Sequence, residues 1–380
     1  MDGRAERRKP AASLSDELIV DILSRLPVRS LCRFKCVSRT WRRLISHPTH
    51  RKKMPHTLAG FLYQSYDCER SPRWAHHFTN VSGKGIPFVY PSFSFLPVPS
   101  NDVDPFDCCN GLLLCSCSLP GPRDRDYNWP FCYVVCNPAT EMWVMLPPGG
   151  SGSLYNTARL CFDPAVSSHF SVIEFVSDPK FVGDDVVGLE IYSSRTGTWS
   201  SKPGWTDELA VCRDRRSVFL NGFLNSVTFS NEILAIDMEG EAWRTIPMPS
   251  CRETETSFLH QAQGHLCIFN VDEYDPYKLT VHILQDDKWV LKHRVSTELL
   301  FGWKGLRSDI DYKVIAVHPE CNLVFFVYGR DNTLMAYEMD RREVRVIRNL
   351  RYSSRLSSVC PPFLRINSRW GVKQFHAECS

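Results

Sequence analysis

The sequence predicts an α+β multidomain chain: a small N-terminal three-helix module followed by an all-β propeller of about six blades. Three observations carry this. Residues 14–50 hold three helical patterns in a row, each opened by a serine. From about residue 57 helical spacing gives way to short apolar or aromatic runs divided by Gly, Pro, Asn and Asp, the pattern of an all-β region. Within that region a bulky marker residue, four times out of five a tryptophan, recurs at a period near 50, which is propeller arithmetic.

The first helical pattern runs from Leu14 to Pro27. Ser15 is placed to cap the free amide groups of a helix start, and Asp16 and Glu17 suit the positive end of the helix dipole. Leu18, Ile19, Ile22, Leu23 and Leu26 fall on one face at helical spacing, and Pro27 cannot continue the helix. Ser30 opens a second pattern with Leu31, Phe34 and Val37; Ser38 opens a third with Trp41, Leu44 and Ile45, closed by Pro48. Segments below roughly 40 residues rarely bury enough surface to stand alone. These apolar faces are therefore expected to finish their core on the chain's own later domain or on another protein.

In order and without a gap, Leu18, Ile22, Leu23, Leu26-Pro27, Ser30-Leu31, Arg33-Phe34-Lys35-Cys36-Val37, Ser38, Trp41, Leu44-Ile45 and Pro48 resemble an F-box, the adaptor-binding module of Skp–cullin–F-box ubiquitin ligases. The resemblance implies that a Skp-type adaptor, and through it a cullin, docks on Leu14, Leu18, Ile22, Leu23, Leu26, Pro27, Leu31, Phe34, Val37, Trp41 and Ile45. Where the family opens on Leu-Pro this chain has Leu14-Ser15, which implies a weaker adaptor contact rather than a lost one.

Arg51-Lys52-Lys53 marks a charged joint, and Thr57 to Tyr63 reads as a first strand. The organisation expected is a disordered basic tail over 1–13, the helical module over 14–50, a linker over 51–56 and the propeller over 57–375. Its repeat unit is a strand, a polar turn and a second strand that begins near Trp143, Trp199, Trp243, Trp289 or, in the last unit, Val344. The gaps between these markers are 56, 44, 46 and 55 residues. An earlier strand in several units follows a glycine turn, as at Asn110-Gly111, Asn221-Gly222 and Gly264. The tryptophans are read as packing residues between blades. A tandem of β-sandwiches stays open as the alternative. Asn110-Gly111-Leu112-Leu113, Cys136-Asn137-Pro138-Ala139-Thr140, Trp143 and Leu146-Pro147-Pro148 resemble the F-box-associated domain of the large plant F-box families, itself kelch-like.

Net charge is +3 but uneven: residues 1–53 hold 14 Lys or Arg against 5 Asp or Glu. That basic end suits an acidic protein partner; nucleic acid is the disfavoured alternative and predicts affinity that falls steeply with salt. No run of about 18 apolar residues suggests a membrane span, and Met1 to Pro10 has no apolar core for a secretory signal. With that, the 16 cysteines are expected as reduced thiols in cytoplasm, nucleus or both. Cys108, Cys109, Cys115, Cys117, Cys132 and Cys136 cluster in sequence without zinc-type Cys-x-x-Cys pairing. Cys115 and Cys117 alternate along an apolar run, as small core residues of a strand do.

No Gly-rich phosphate loop, His-Glu-x-x-His or Gly-x-Ser-x-Gly is present, and His76-His77, His265, His282 and His293 share no spacing. No catalytic residue, metal ligand or cofactor is expected. The expected function is that of a non-catalytic substrate-recognition subunit of a Skp–cullin–F-box ligase, its propeller holding an unknown target protein. The alternatives are an F-box binding protein acting outside a ligase, or a propeller enzyme, which needs His, Cys or Tyr side chains converging on the central channel.

Overall fold

The computed structural model describes residues 14–25, 34, 37–47, 50, 57–66, 74–84, 89–99, 102–121, 130–149, 158–177, 186–204, 209–212, 215–249, 257–272, 274–275, 277–303, 306, 311–318, 321–329, 332–350 and 373–377. The chain divides into two compact units, Met1–Pro55 with Cys379–Ser380, and His56–Glu378. The expected basic tail and the linker over 51–56 lie outside the described residues.

The first unit carries two helices, α1 (Asp16–Ser24) and α2 (Arg39–Ser46), among the described residues. Of the middle helix expected from Ser30, only residues 34 and 37 are described, so the three-helix count has two observed members.

The second unit is a ring of sheets. Five are four-stranded blades, each an antiparallel up-and-down run in sequence order. Blade one holds β3 (Val103–Cys109), β4 (Leu112–Ser118), β5 (Phe131–Asn137) and β6 (Met142–Met145). Blade two holds β7 (Ala158–Cys161), β8 (Ser171–Ser177), β9 (Val186–Ser193) and β10 (Thr198–Pro203). Blade three holds β11 (Val218–Leu220), β12 (Phe223–Val227), β13 (Glu232–Asp237) and β14 (Trp243–Pro247). Blade four holds β15 (Phe258–Ala262), β16 (His265–Val271), β17 (Lys278–Gln285) and β18 (Lys288–Ser296), followed by helix α3 (Thr297–Phe301). Blade five holds β19 (Tyr312–Val317), β20 (Leu323–Tyr328), β21 (Thr333–Glu338) and β22 (Glu343–Asn349).

Among the described residues the expectation of about six blades is therefore corrected to five. The remaining sheet has three strands in the order β2-β1-β23, from β1 (Thr57–Tyr66), β2 (Trp74–Asn80) and β23 (Lys373–Ala377). Dividing the region by an even period could not find this, because the sheet is assembled from both ends of the ring. Strand β23 lies against both β19 and β3 and so joins the last blade to the first.

What holds the ring is apolar surface between neighbouring sheets, which is how a propeller buries both faces of every blade. Leu160, Val172 and Tyr192 of blade two pack on Leu114 and Val135 of blade one. Leu234 and Ile236 meet Ile173 and Ile191 at the next junction. Leu259 and Ile268 then meet Ile233 and Ala235, and Phe326 and Tyr337 meet Phe269 and Val281. Phe61 packs on Phe325 with ring centroids 5.0 Å apart. Leu62 and Phe78 complete the circle against Leu113, Cys115 and Val134.

The markers read in the sequence fall in one register. Trp143, Trp199, Trp243, Trp289 and Val344 stand on the outermost strands opposite Cys136, Tyr192, Ile236, Leu284 and Tyr337 of the strands before. Two of the tryptophans tie blades together by hydrogen bonds: Nε1 of Trp199 donates to the Pro147 carbonyl at 3.0 Å, and Nε1 of Trp289 to that of Pro247 at 2.8 Å. Gly149 is small for this reason, since a Cβ there would stand 2.4 Å from Cδ1 of Trp199.

Candidate functional site

The helical unit is built from its caps inward. The Ser15 side chain accepts from the Leu18 amide at 3.4 Å and starts α1; the Ser38 side chain accepts from the Trp41 amide at 3.1 Å and starts α2. Glu17 sits in the first turn of α1, where backbone N–H and the Ser15 hydroxyl hold its carboxyl below the usual range. Across the helices Arg43 reaches Asp16 at 3.7 Å, an exposed pair that aligns more than it stabilises.

The broad apolar stripe of α1 splits in two. Val20 and Leu23 turn inward against Leu44 and Ile45 of α2, with Ile19, Phe34 and Trp41 packed around them. Phe34 meets Trp41 edge-on, centroids 5.1 Å apart. Leu14, Leu18 and Ile22, each four residues from the next, remain 56%, 53% and 46% exposed, and Val37 is exposed as well. A row of large aliphatic side chains at one-turn spacing is what an amphipathic helix offers a groove on a partner.

The eleven residues singled out in the sequence therefore have different places. Leu14, Leu18, Ile22 and Val37 face solvent, Phe34 and Trp41 are half-buried, and Leu23 and Ile45 lie in the core between the helices. Leu26, Pro27 and Leu31 lie outside the described residues. Val20 was missed, although it takes part in the same core; its position one residue past Ile19 hid it in a face already crowded with aliphatics.

The two ends of the ring differ. One end carries the turns between first and second strands: Asn110-Gly111, Asn221-Gly222 and Gln263-Gly264, all with positive φ, as tight hairpins require. The third-to-fourth-strand turns lie at the same end, including Asp286-Asp287. The opposite end carries the second-to-third-strand turns and the crossings between blades, and there large side chains stand in water. Phe229, Tyr274, Tyr277, Leu299 and Trp303 are all exposed, Tyr274 by 87%.

The turn that bears Tyr274 is braced. Oδ1 of the buried Asp272 accepts from the amides of Tyr274 and Asp275, both at 3.1 Å, and its Oδ2 pairs with Nε of Arg294 at 2.9 Å. The Thr297 amide donates to the Tyr277 carbonyl at 2.8 Å, which ties α3 to the same turn. Phe301 anchors α3 from beneath by stacking on Tyr328, 4.7 Å between centroids, while Leu299 and Trp303 point outward.

Among the described residues no three His, Cys, Asp or Glu side chains gather to hold a metal ion, and no helix is long and apolar enough to cross a membrane. His260 is buried and its imidazole held well below its ordinary value by burial, then by the Arg216 charge. His76 is lowered to about 4, by burial and by neighbouring His77.

A capped helix pair with an open aliphatic ridge, followed in the chain by a β-propeller, defines a two-module F-box protein. Residues 12–53 match the F-box domain, and residues 89–361 match the family described as F-box protein At3g26010-like, beta-propeller. The chain belongs to that family. It is similar to F-box protein At5g07610 of Arabidopsis thaliana, 27% identical over 75% of this chain and 71% of the relative. It is likewise similar to F-box protein At5g49610, 27% identical over 85% of this chain and 90% of that one, and to F-box protein At3g26010, 28% identical over 52% and 45%. Both of these are also from Arabidopsis thaliana.

Proposed function

We propose that this chain is a substrate-recognition subunit of a Skp–cullin–F-box ubiquitin ligase. Residues 14–50 dock a Skp-type adaptor and through it a cullin, residues 57–375 hold a target protein, and residues 1–13 and 51–56 serve as tail and linker. The observation that carries the reading is the exposed row Leu14, Leu18 and Ile22 within a segment that matches an F-box. Leu23 and Ile45 contribute by holding α1 and α2 together beneath that row. The chain itself carries out no step of ubiquitin transfer; it raises the effective concentration of a target lysine near a ubiquitin-charged enzyme. Its workplace is the cytoplasm, the nucleus or both. The aromatic end of the ring is the favoured place for the target, because exposed Tyr and Trp on a braced turn are typical interface anchors.

Co-purification of the full chain with a Skp-type adaptor tests the docking. The wild type is expected to bind, and Leu18→Glu with Ile22→Glu is expected to abolish binding while the melting profile stays unchanged. Equal binding by the double variant, or none by the wild type, removes the proposal. Adaptor binding without cullin recruitment identifies a protein that acts outside a ligase.

A further inference from the structure

We propose that Cys117 and Cys132 form a two-electron oxidation site that closes to a disulfide when the chain meets a hydroperoxide. This goes beyond target recognition and does not depend on it.

The register sets the pair apart. Cys117 on β4 and Cys132 on β5 are direct partners across the antiparallel ladder, so both side chains project from one face. Residues so paired stand about 4.5–5.5 Å apart at Cα, inside the range of about 4.4–6.8 Å that a disulfide spans. The other cysteines nearby are off register. Cys115 faces Val134 and Cys136 faces Leu113. Cys115 and Cys136 meet diagonally, their side chains in hydrogen-bond contact, but a diagonal pair stands roughly 7–8 Å apart, beyond what a disulfide spans without moving the backbone. Cys109 is turned to another blade, its Sγ donating to the Phe162 carbonyl at 3.2 Å.

The two thiols are also unlike. Cys117 is fully buried, whereas Cys132 is half-exposed at the margin of the same core. Cys117 donates a hydrogen bond to the Cys132 sulfur, which lowers the Cys132 thiol from its ordinary value; that bond, then burial, raises Cys117. Cys132, the more exposed of the two, is thus the sulfur a peroxide meets first, and Cys117 is the partner that resolves it.

In the first step the Cys132 thiolate attacks one peroxide oxygen. The S–O bond forms, the O–O bond breaks, and the leaving oxygen takes a proton as water or alcohol. In the second step the Cys117 sulfur gives up its proton and attacks the Cys132 sulfur. The S–S bond forms, the S–O bond breaks and the oxygen leaves as water. Two thiols are oxidised and one peroxide is reduced.

The test treats the reduced full chain with hydrogen peroxide, blocks free thiols and maps peptides without reductant. A Cys117–Cys132 linked peptide is expected in the wild type, in Cys115→Ser and in Cys136→Ser, and it is reversed by dithiothreitol. Cys132→Ser is expected to lose the link, and Cys117→Ser to carry Cys132 on to the sulfinic acid. The proposal is overturned if the wild type accumulates Cys132 sulfinic acid without a link, or if both thiols stay reduced while other cysteines oxidise. It is equally overturned if the link runs to Cys136 instead. Should a variant fail to fold, peroxide-dependent protection of Cys117 and Cys132 from alkylation in the wild type decides alone.

Discussion

The helix pair and the ring use aliphatic and aromatic side chains to opposite ends. Every sheet of the ring buries large residues against a neighbouring sheet, although the outermost strands also leave some in water, and six apolar junctions return the chain to its beginning. Helix α1 has one row of aliphatics for α2 and a second row, Leu18 and Ile22 with Leu14 just before the helix, that the described chain leaves in water. Burial of such a side chain is worth about 1.5–3 kcal/mol. Among the described residues the exposed row therefore leaves ungained a stabilisation that a surface covering it would supply. The comparison teaches that the same hydrophobic spacing marks structure when it is matched within the fold and function when it is left over.

The strongest way to break this contrast is to hollow out one junction. Phe325→Ala removes a fully buried ring that packs on Phe61 and is expected to cost about 3–5 kcal/mol. Thermal or urea unfolding should lose the ring's transition while α1 and α2 still bind an adaptor. Loss of both functions together would show that the two units stand or fall as one.

Acid is expected to act next, and on the ring rather than the helices. His76 is lowered from 6.5 to about 4 in the folded chain. Above pH 6.5 both folded and unfolded forms are neutral, so stability is complete. As pH falls toward 4 the unfolded chain takes up the proton first, and stability is lost on the order of 2 kcal/mol after discounting partial exposure. His260, also lowered by burial, pulls in the same direction. Urea midpoints between pH 7 and 4 should therefore fall, and His76→Gln should flatten part of the slope. A flat wild-type curve contradicts the buried, neutral histidines.

The smallest effect sharpens the other side. Ser38→Ala deletes the cap of α2 and is expected to cost about 1 kcal/mol, confined to the helical unit. Hydrogen exchange should quicken at the first turn of α2 and leave β4, β13 and β20 untouched. Adaptor affinity should weaken only slightly, because Ser38 is not among the residues proposed to dock.

The ring was legible in the sequence where its signal is local. The spacing of Trp143, Trp199, Trp243 and Trp289, with Val344 in the fifth place, reports one register because each stands on a hairpin with the strand before it. The blade count was not legible, because β23 pairs with β1 across almost the whole ring and no turn joins them. In the helical unit, periodicity gave the stripe of α1 but not its division. Leu18, Ile19, Ile22 and Leu23 are equally aliphatic, and only the position of α2 decides that Leu23 is covered while Leu18 and Ile22 are not. The aromatic end of the ring left no motif, since Tyr274 and Trp303 are placed by the brace of Asp272 and by α3 rather than by spacing.

The three-stranded sheet has a consequence for biosynthesis. β1 is made among the first strands, yet its partner β23 belongs to residues 373–377. During translation the nascent chain can fold α1 and α2 early, but its circle stays open until residues 373–377 have been made and have left the ribosome. A chain cut short before residue 373 would keep α1, α2 and the five four-stranded blades but lack the strand that joins the last blade to the first.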